Sequence, residues 1–416
     1  MHRNILDFLK IVPVLFLLIQ LNVSAADLEI KTLRIYSTGD ETSFPVIDYS
    51  DKTKNSVTIE FDIDSGFIPN LNILFYFCDS EWNVTNNVFL TNPLYSKETY
   101  LSLDTAPPNL SGVTYHYSGK FPNNNIKFPY SGKWKFFIVD SHDSNLIYDS
   151  GRFFVVYPEV KLNTTTAKEN LENNVSELME KGRTISVTTN FTLPDTLHSF
   201  NVKKMEIVNN RKLDYAISID RNMYTADAYV DWDAGFKFSF VARNILPGNY
   251  YRQTDIRDFG KYIYPTADAK FGEIETSNFF TKLGRDFRGG TYLLNYKNDH
   301  AEYINVVFQM RPPETIKEPV FLVGSFTDWK VLPGFEMYDD NGLMNISIPL
   351  KRGVYNYQYV TGEVINDEVK NIDWIVLEGN FYETENEYYI FLFYKSLDYG
   401  GYDKIIGYKK IKTGSL

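Results

Sequence analysis

Val320-Phe321-Leu322-Val323-Gly324-Ser325-Phe326-Thr327-Asp328-Trp329 is the most informative stretch of the chain. Its first five residues are mostly apolar and include two β-branched valines, which predicts a buried strand. Gly324 ends this strand, and the residues that follow predict a loop carrying aromatic rings. The stretch holds no nucleophile, acid/base pair or phosphate-binding loop. We therefore expect a sandwich edge whose loop either binds a flat ligand or is held in place by Trp329.

Short strands separated by turns continue in both directions from this stretch. Val57–Ile63 alternates apolar and polar residues, as a half-buried strand does. Leu71–Cys78 is almost continuously apolar, which is typical of the centre of a sandwich. Tyr388–Tyr394 is the last strong strand, and no long helix is predicted anywhere. The fold class is therefore all-β, with tandem immunoglobulin-like β-sandwich domains.

Changes in composition divide the chain into five parts. The polar run after Pro158 predicts a linker, and Pro312-Pro313 predicts a stiff joint because proline cannot donate to a ladder. The predicted parts are a signal peptide at 1–25, an N-terminal immunoglobulin-like sandwich at 26–158, a polar linker or long loop at 159–183, a middle all-β domain at 184–311 and a C-terminal immunoglobulin-like domain at 314–416.

The N-terminus predicts export. Arg3 and Lys10 precede the apolar run Ile11–Leu21, and the small residues Ser24 and Ala25 suit cleavage before Ala26. No later stretch of about 20 apolar residues occurs, so no direct membrane insertion is expected. The single cysteine, Cys78, excludes an internal disulfide, so core burial must stabilise the exported chain.

The charge balance bears on the kind of partner. The chain has 42 Lys+Arg against 53 Asp+Glu, a net charge of −11. Nucleic acids and anionic membrane surfaces both require a basic footprint, so neither is expected as the main partner.

Few residues are candidates for catalysis or metal binding. Asp79 and Glu81 flank Ser80 after a predicted strand and could form the carboxylate pair of a glycosidase, but such residues are usually solvated. His116 lies between two tyrosines without a second histidine nearby, and Cys78 is expected to be a small buried hydrophobe. We therefore predict no catalytic residue, no metal site and no cofactor.

Aromatic residues of the C-terminal part have two interpretations. Trp329, Trp374 and the alternating Tyr355, Tyr357 and Tyr359 could form a stacking platform for sugar rings. The simpler interpretation, which we favour, is that these rings fill a core that is poor in Leu and Ile.

Residues 320–360 resemble the Gly-Ser-Phe-Asn-x-Trp region of the early-set immunoglobulin-like domains that bind glycogen and starch. In those domains a loop tryptophan stacks on glucose. The resemblance implies an early-set fold for the C-terminal domain and, as an alternative function, α-glucan binding through Trp329 and Trp374.

A second resemblance covers nearly the whole chain after the signal peptide. The order of its motifs is similar to that of the type IX secretion system plug protein family. The matching segments are Phe77–Trp82, Tyr115–Tyr117 with Phe121–Asn123, Ser131–Trp134, Gly324–Trp329 with Met337-Tyr338, Leu350–Val360, Glu378–Phe381, Thr384–Tyr388 and Tyr402–Tyr408.

This resemblance implies a periplasmic β-sandwich protein of a Gram-negative cell. After cleavage it would associate with the inner face of the outer membrane, where it closes the periplasmic opening of the type IX translocon, a large β-barrel. It implies no enzymatic activity and no cofactor, and we expect a monomer on its own. We predict that exposed loops contact the barrel through Asp79, Glu81, Trp82, Phe121, Asn123, Phe326, Asp328 and Trp329.

Overall fold

A computed structural model of the chain describes residues 28–92, 94–170, 183–277, 287–293 and 301–414. The predicted signal peptide lies outside these residues. Six sheets account for the described strands, and the predicted all-β class is confirmed. The helical turns in the described residues are short 3₁₀ segments, namely Ser199–Asn201, Leu213–Tyr215, Ser325–Thr327, Pro333–Phe335 and Asp398–Gly400.

The first two sheets form the N-terminal sandwich. One sheet has the order β1-β3-β7-β6, with β1 Glu29–Ser37, β3 Val57–Asp64, β7 Tyr115–Phe121 and β6 Asp104–Thr105. The other has the order β2-β9-β8-β4-β5, with β2 Val46–Asp48, β9 Ile147–Val156, β8 Gly132–Asp140, β4 Leu71–Cys78 and β5 Lys97–Glu98. Inward-facing side chains of both sheets, such as Phe61, Phe75 and Phe136, make one apolar core.

The middle sandwich contains strands from two distant parts of the chain. Its first sheet has the order β10-β11-β15-β14, with β10 Asn163–Asn170, β11 Arg183–Thr192, β15 Lys237–Ile245 and β14 Ala228–Trp232. Its second has the order β13-β12-β26-β27, with β13 Ile217–Asp220, β12 Val202–Asn209, β26 Asn386–Ser396 and β27 Tyr402–Thr413. The core between them joins Ile207 of β12 to Ile390 of β26.

The third sandwich lies between these two parts in sequence. In its first sheet β24 Gly353–Ile365 pairs with β16 Arg252–Asp255, β19 Thr291–Leu293, β21 Val320–Gly324 and β25 Glu368–Asp373. In its second, β20 Tyr303–Arg311 and β23 Leu343–Lys351 pair, flanked by β17 Thr266–Asp268, β18 Glu275–Thr276 and β22 Tyr338–Asp340. The strand predicted at Val320 is present, and its first four residues are fully buried.

Strand pairing departs from the predicted division of the chain. The predicted boundary around Pro312-Pro313 separates β12 from β26, yet these strands pair from Val202↔Tyr394 to Asn209↔Tyr388. The same boundary separates β20 from β23, which also pair. The polar run predicted as a linker begins with β10, which pairs residue by residue with β11. Most residues of β10 are exposed, and its three consecutive threonines are β-branched residues that favour a strand.

The C-terminal part of β9 and most of β26 are buried on both faces, which explains their continuous apolar runs. In β9, Phe153 and Val155 face the N-terminal core, while Phe154 and Val156 face the middle sandwich. In β26, Ile390 enters the middle core and the alternate residues face β9. The Phe154 and Phe391 rings stack with centroids 4.0 Å apart, so the two sandwiches share an aromatic interface.

Candidate interaction surface and domain junctions

The loop after β4 contains three of the predicted contact residues, and it closes onto the middle sandwich. Asp79 Oδ1 accepts the backbone N–H groups of Glu81 and Asn83, both at 2.9 Å, so this carboxylate shapes its own loop. Glu81 pairs with Lys204 of β12 but keeps 61% of its side chain exposed. Trp82 is half-buried, with Phe154 on one side at 5.1 Å and the ammonium of Lys133 over its ring at 4.7 Å.

Charged groups next to this loop join the N-terminal and middle sandwiches. Lys133 Nζ donates to the Ser80 carbonyl at 2.6 Å and lies 2.8 Å from a Glu206 oxygen. Asp403 accepts the Ser80 backbone N–H at 2.9 Å and an N–H of Lys203 at 2.7 Å. Burial raises the pKa of Asp403, but these hydrogen bonds outweigh it and hold the pKa at about 2. The carboxylate is therefore charged and stabilises the junction at neutral pH.

The second predicted contact segment divides into a buried residue and an exposed one. Phe121 is 0% exposed and packs at 4.9 Å from Phe75, so the prediction that it is a surface contact is wrong. Its position as the last residue of β7, pointing between the sheets, is the physical reason. Asn123 is exposed, and its Oδ1 accepts the N–H groups of Asn125 and Ile126. Its Nδ2 donates to Glu98 Oε2 at 3.0 Å, so the amide holds this turn together.

The third predicted segment, Phe326–Trp329, shows the same division. Phe326 is half-buried against Phe308 and Phe335, each 6.0 Å away, whereas Asp328 is exposed in a left-handed turn at φ 50°. Trp329 is 1% exposed, and its Nε1 donates to the Gly289 carbonyl at 2.8 Å. It cannot present a face to a sugar, so the prediction of an exposed Trp329 is wrong.

Trp374, the second residue of the predicted sugar platform, takes part in an aromatic cage. Its ring lies 3.7 Å from the Lys212 ammonium, which also lies 5.5 Å from Trp329 and 5.4 Å from Tyr251. Lys212 Nζ donates to Gln358 Oε1 at 3.2 Å. Burial lowers the pKa of Lys212 to about 7. The cage fixes the middle sandwich, which supplies Lys212, to the third.

A buried charged cluster fixes the N-terminal sandwich to the third. Asp62 Oδ2 accepts hydrogen bonds from Lys351 Nζ at 2.7 Å and Tyr303 Oη at 2.8 Å. Asp62 Oδ1 lies 2.7 Å from His116 Nδ1, its cross-strand neighbour. His116 is thus a structural partner of Asp62 rather than a solvent-facing residue. No local pattern predicted these roles for Lys351 and Lys212, because their partners are distant in the chain.

A cleft of about 490 Å³ lies where the three sandwiches meet. Arg34 and Asp149 line it from the N-terminal sandwich, Arg211 from the middle one, and Asp328 and Lys330 from the third. Arg211 donates to the carbonyl of Ile35 at 3.1 Å, across the same junction. The cleft presents both signs of charge and so has no single electrostatic preference.

Neither a metal centre nor a membrane-crossing helix is found in the described residues. No group of three or more His, Cys, Asp or Glu side chains in these ranges is placed to hold a metal ion. The same part of the chain has no helix long and apolar enough to cross a bilayer.

The tyrosines 355, 357 and 359 all lie in the third core, where Tyr357 and Tyr359 donate to Glu275.

Fold and junctions together define a class, a multi-domain β-sandwich protein whose domains are joined by buried charges and aromatic rings. Residues 30–157 match the family model described as the first domain of the type 9 secretion system plug protein. This match supports the resemblance to the type IX secretion system plug family for the N-terminal sandwich.

Comparison with solved structures extends the likeness in fold to nearly the whole chain. A crystal structure of a hypothetical protein from Parabacteroides merdae ATCC 43184 superposes with a TM-score of 0.73. It shares 18% sequence identity over 93% of this chain and 99% of its own, which shows a common fold. No curated protein matches the chain.

Proposed function

We propose that this protein is a non-enzymatic periplasmic plug that closes the periplasmic opening of the outer-membrane type IX translocon barrel. The observation that carries the proposal is the match of residues 30–157 to the plug family's first domain. In this proposal the protein is a monomer that docks reversibly at the inner face of the outer membrane when no substrate is being exported.

The junctions between sandwiches support this proposal physically. A plug has to keep its shape while it blocks a wide pore, and domains joined only by flexible linkers would not. Here the Lys351–Asp62 pair, the Lys133–Glu206 pair and the Lys212 cage hold the three sandwiches against one another. The body can therefore present one fixed surface, to which Glu81, Asn123 and Asp328 contribute exposed polar groups.

The carbohydrate-binding alternative loses the two tryptophans on which it was based. Trp329 is buried, and Trp374 packs on Lys212 and Tyr215. The glycosidase alternative is disfavoured as well, because Asp79 is engaged by its own loop and Glu81 is paired with Lys204. We therefore propose neither of them.

The test is a deletion in the native host combined with affinity purification. Cells without the protein should take up a large dye or antibiotic that intact cells exclude, and a plasmid copy should restore exclusion. The tagged protein, extracted from outer membranes with mild detergent, should bring down a large β-barrel. Unchanged permeability together with no co-purified barrel would contradict the proposal.

A further inference from the structure

Two neighbouring loops hold a group of exposed apolar side chains. One loop belongs to the N-terminal sandwich and the other to the middle one. Asn87 Nδ2 joins them by donating to the Tyr399 carbonyl at 2.7 Å, and the Tyr130 and Tyr399 rings lie 5.3 Å apart. We refer to the exposed side chains, which are 54% to 80% accessible, as the apolar ridge: Val88, Phe89, Leu94, Leu397 and Tyr399.

The ridge is ordered before any partner arrives. Asn87 Oδ1 accepts the Phe89 N–H at 3.0 Å, and Asn92 Oδ1 accepts the Leu94 N–H at 3.1 Å. Tyr130 Oη donates to the Phe89 carbonyl at 2.8 Å. Tyr399 holds a left-handed backbone at φ 53°, a conformation that bulky residues rarely adopt. A surface fixed in this way loses little conformational entropy on binding.

A small apolar pocket opens beside the ridge. Phe75, Phe77 and Trp134 line it from the core, and Asn92 and Lys127 are among the polar residues around it. Its volume is about 200 Å³. Since a protein cavity of about 150 Å³ can hold benzene, this pocket has room for one aromatic or branched aliphatic side chain. Apolar pockets with a polar rim are where a few anchoring residues supply most of an interface's binding energy.

The charge pattern indicates what kind of partner fits. Residues 82–96 contain no Asp, Glu, Lys or Arg, and residues 397–401 of the second loop contain one charged residue, the exposed Asp398, although 23% of the chain is charged. Depletion of charge around exposed aromatic side chains is typical of the centre of a protein interface. An anionic lipid surface would instead require a basic cluster. The occupant with the right chemistry is a neutral protein segment carrying a large apolar side chain.

We propose that the apolar ridge and its pocket form the surface that docks on the translocon, with a periplasmic loop of the barrel inserting an apolar side chain into the pocket. This inference rests on the proposed plug function and deepens it by naming the contact. It replaces the buried Phe121 and Trp329 with side chains that are accessible in the folded protein.

The test compares two charge substitutions on equally exposed residues. Leu94→Glu places a carboxylate on the ridge, and Tyr338→Glu places one on β22 of the third sandwich, where Tyr338 is 74% exposed. Both variants should keep the melting temperature of the unmodified protein because neither side chain is buried. We expect Leu94→Glu to reduce the amount of co-purified barrel at least tenfold and Tyr338→Glu to leave it unchanged. A photo-crosslinking residue at position 94 should then attach to the barrel.

The outcomes separate this inference from the proposed function. If the unmodified protein and both variants bring down equal amounts of barrel, the ridge is not the docking surface, while the plug function stands. Crosslinks from position 94 to a second copy of this chain would assign the ridge to a homodimer and overturn the inference. Binding to anionic phospholipid vesicles that Leu94→Glu abolishes would overturn it in favour of a lipid. Absence of barrel with the unmodified protein would count against the plug function itself.

Discussion

Trp329 stabilises the loop that carries it rather than binding a ligand. Its indole packs against the tilted ring of Tyr251, with centroids 4.2 Å apart, and donates its N–H to the Gly289 carbonyl. Gly289 has φ 85°, and a Cβ there would lie 2.7 Å from the indole nitrogen, so only glycine allows this approach. A motif that resembles a sugar-binding loop therefore packs as core.

Trp329→Ala should lower the free energy of unfolding by about 3–5 kcal/mol, the usual range for removing a buried aromatic side chain. Urea denaturation followed by tryptophan-independent circular dichroism measures this loss, and Tyr338→Ala on the exposed β22 serves as the matched control. Affinity electrophoresis on glycogen should show no retardation of the unmodified protein. Retardation that Trp329→Ala removes without loss of stability would restore the sugar-binding interpretation.

Asp403 makes one junction sensitive to acid. Its pKa is about 2 in the folded protein, below the ordinary value of 3.8, so its stabilising effect is complete above about pH 4 and lost as the pH falls toward 2. A difference of this size corresponds to about 2 kcal/mol at neutral pH. Asp403→Asn should therefore lower stability by about that amount at pH 7 and by progressively less below pH 4.

Thermal unfolding at pH 7, 4 and 3 checks this expectation for Asp403. Asp367→Asn, in an exposed turn, is the control and should change little at any pH. A constant stability difference between Asp403→Asn and the unmodified protein across this range would contradict the assigned role of the charge.

At the level of elements, the third sandwich is an insertion into the middle one. Asn386 Nδ2 donates to the Pro247 carbonyl at 2.8 Å, and Thr384 Oγ1 donates to the Gly248 carbonyl at 2.8 Å. The chain thus leaves the middle sandwich and returns to it at almost the same point. Domains inserted in this way have adjacent termini, which makes them removable.

A chain in which residues 26–247 are joined by two glycines to residues 384–414 should fold, because β26 and β27 complete the middle sandwich. A chain that ends at residue 311 lacks β26 and β27. The sheet β13-β12-β26-β27 of its middle sandwich would then have only two strands, so this sandwich should not fold stably. Cooperative urea unfolding distinguishes the two. Equal stability of both chains would refute the pairing of β12 with β26.

At the scale of the molecule, the three sandwiches are joined pairwise by buried groups. Lys351 and Asp62 are 2% and 1% exposed, so each is costly to bury without the other. The stacked rings of Phe154 and Phe391 join the N-terminal and middle sandwiches, and the Lys212 cage joins the middle and third sandwiches. Such interfaces couple the domains, and we expect a single cooperative unfolding transition.

Lys351→Met should cost roughly 3–5 kcal/mol, because it leaves the Asp62 carboxylate buried without its ammonium partner. Scanning calorimetry should show one transition for the unmodified protein and an earlier, separate transition of the third sandwich for the variant. The double substitution Asp62→Asn with Lys351→Met should recover part of the loss. If Lys351→Met melts like the unmodified protein, the pair does not hold the two sandwiches together.

The local sequence pattern was sufficient to predict several of the strands. Alternation in Val57–Ile63 and the apolar runs at Leu71 and Val320 predicted strands that the structure contains, and the order of motifs indicated the family whose first-domain model matches residues 30–157. These signals are local, because which faces of a strand are buried is written in its own residues. The run Tyr388–Tyr394 predicted the last strong strand, which the structure contains as β26.

The residues that cover the buried face of each strand come from distant parts of the chain. Only the tertiary structure decides which residues they are. The sequence around Val320–Trp329 determines a buried strand followed by an aromatic loop. Only packing against Tyr251, Gly289 and Lys212 decides that Trp329 is core. Likewise, the pairing of β12 with β26 and of Asp62 with Lys351 joins residues far apart in the chain. A period of two shows that a strand has a buried face, but it carries no information about the partner that buries it.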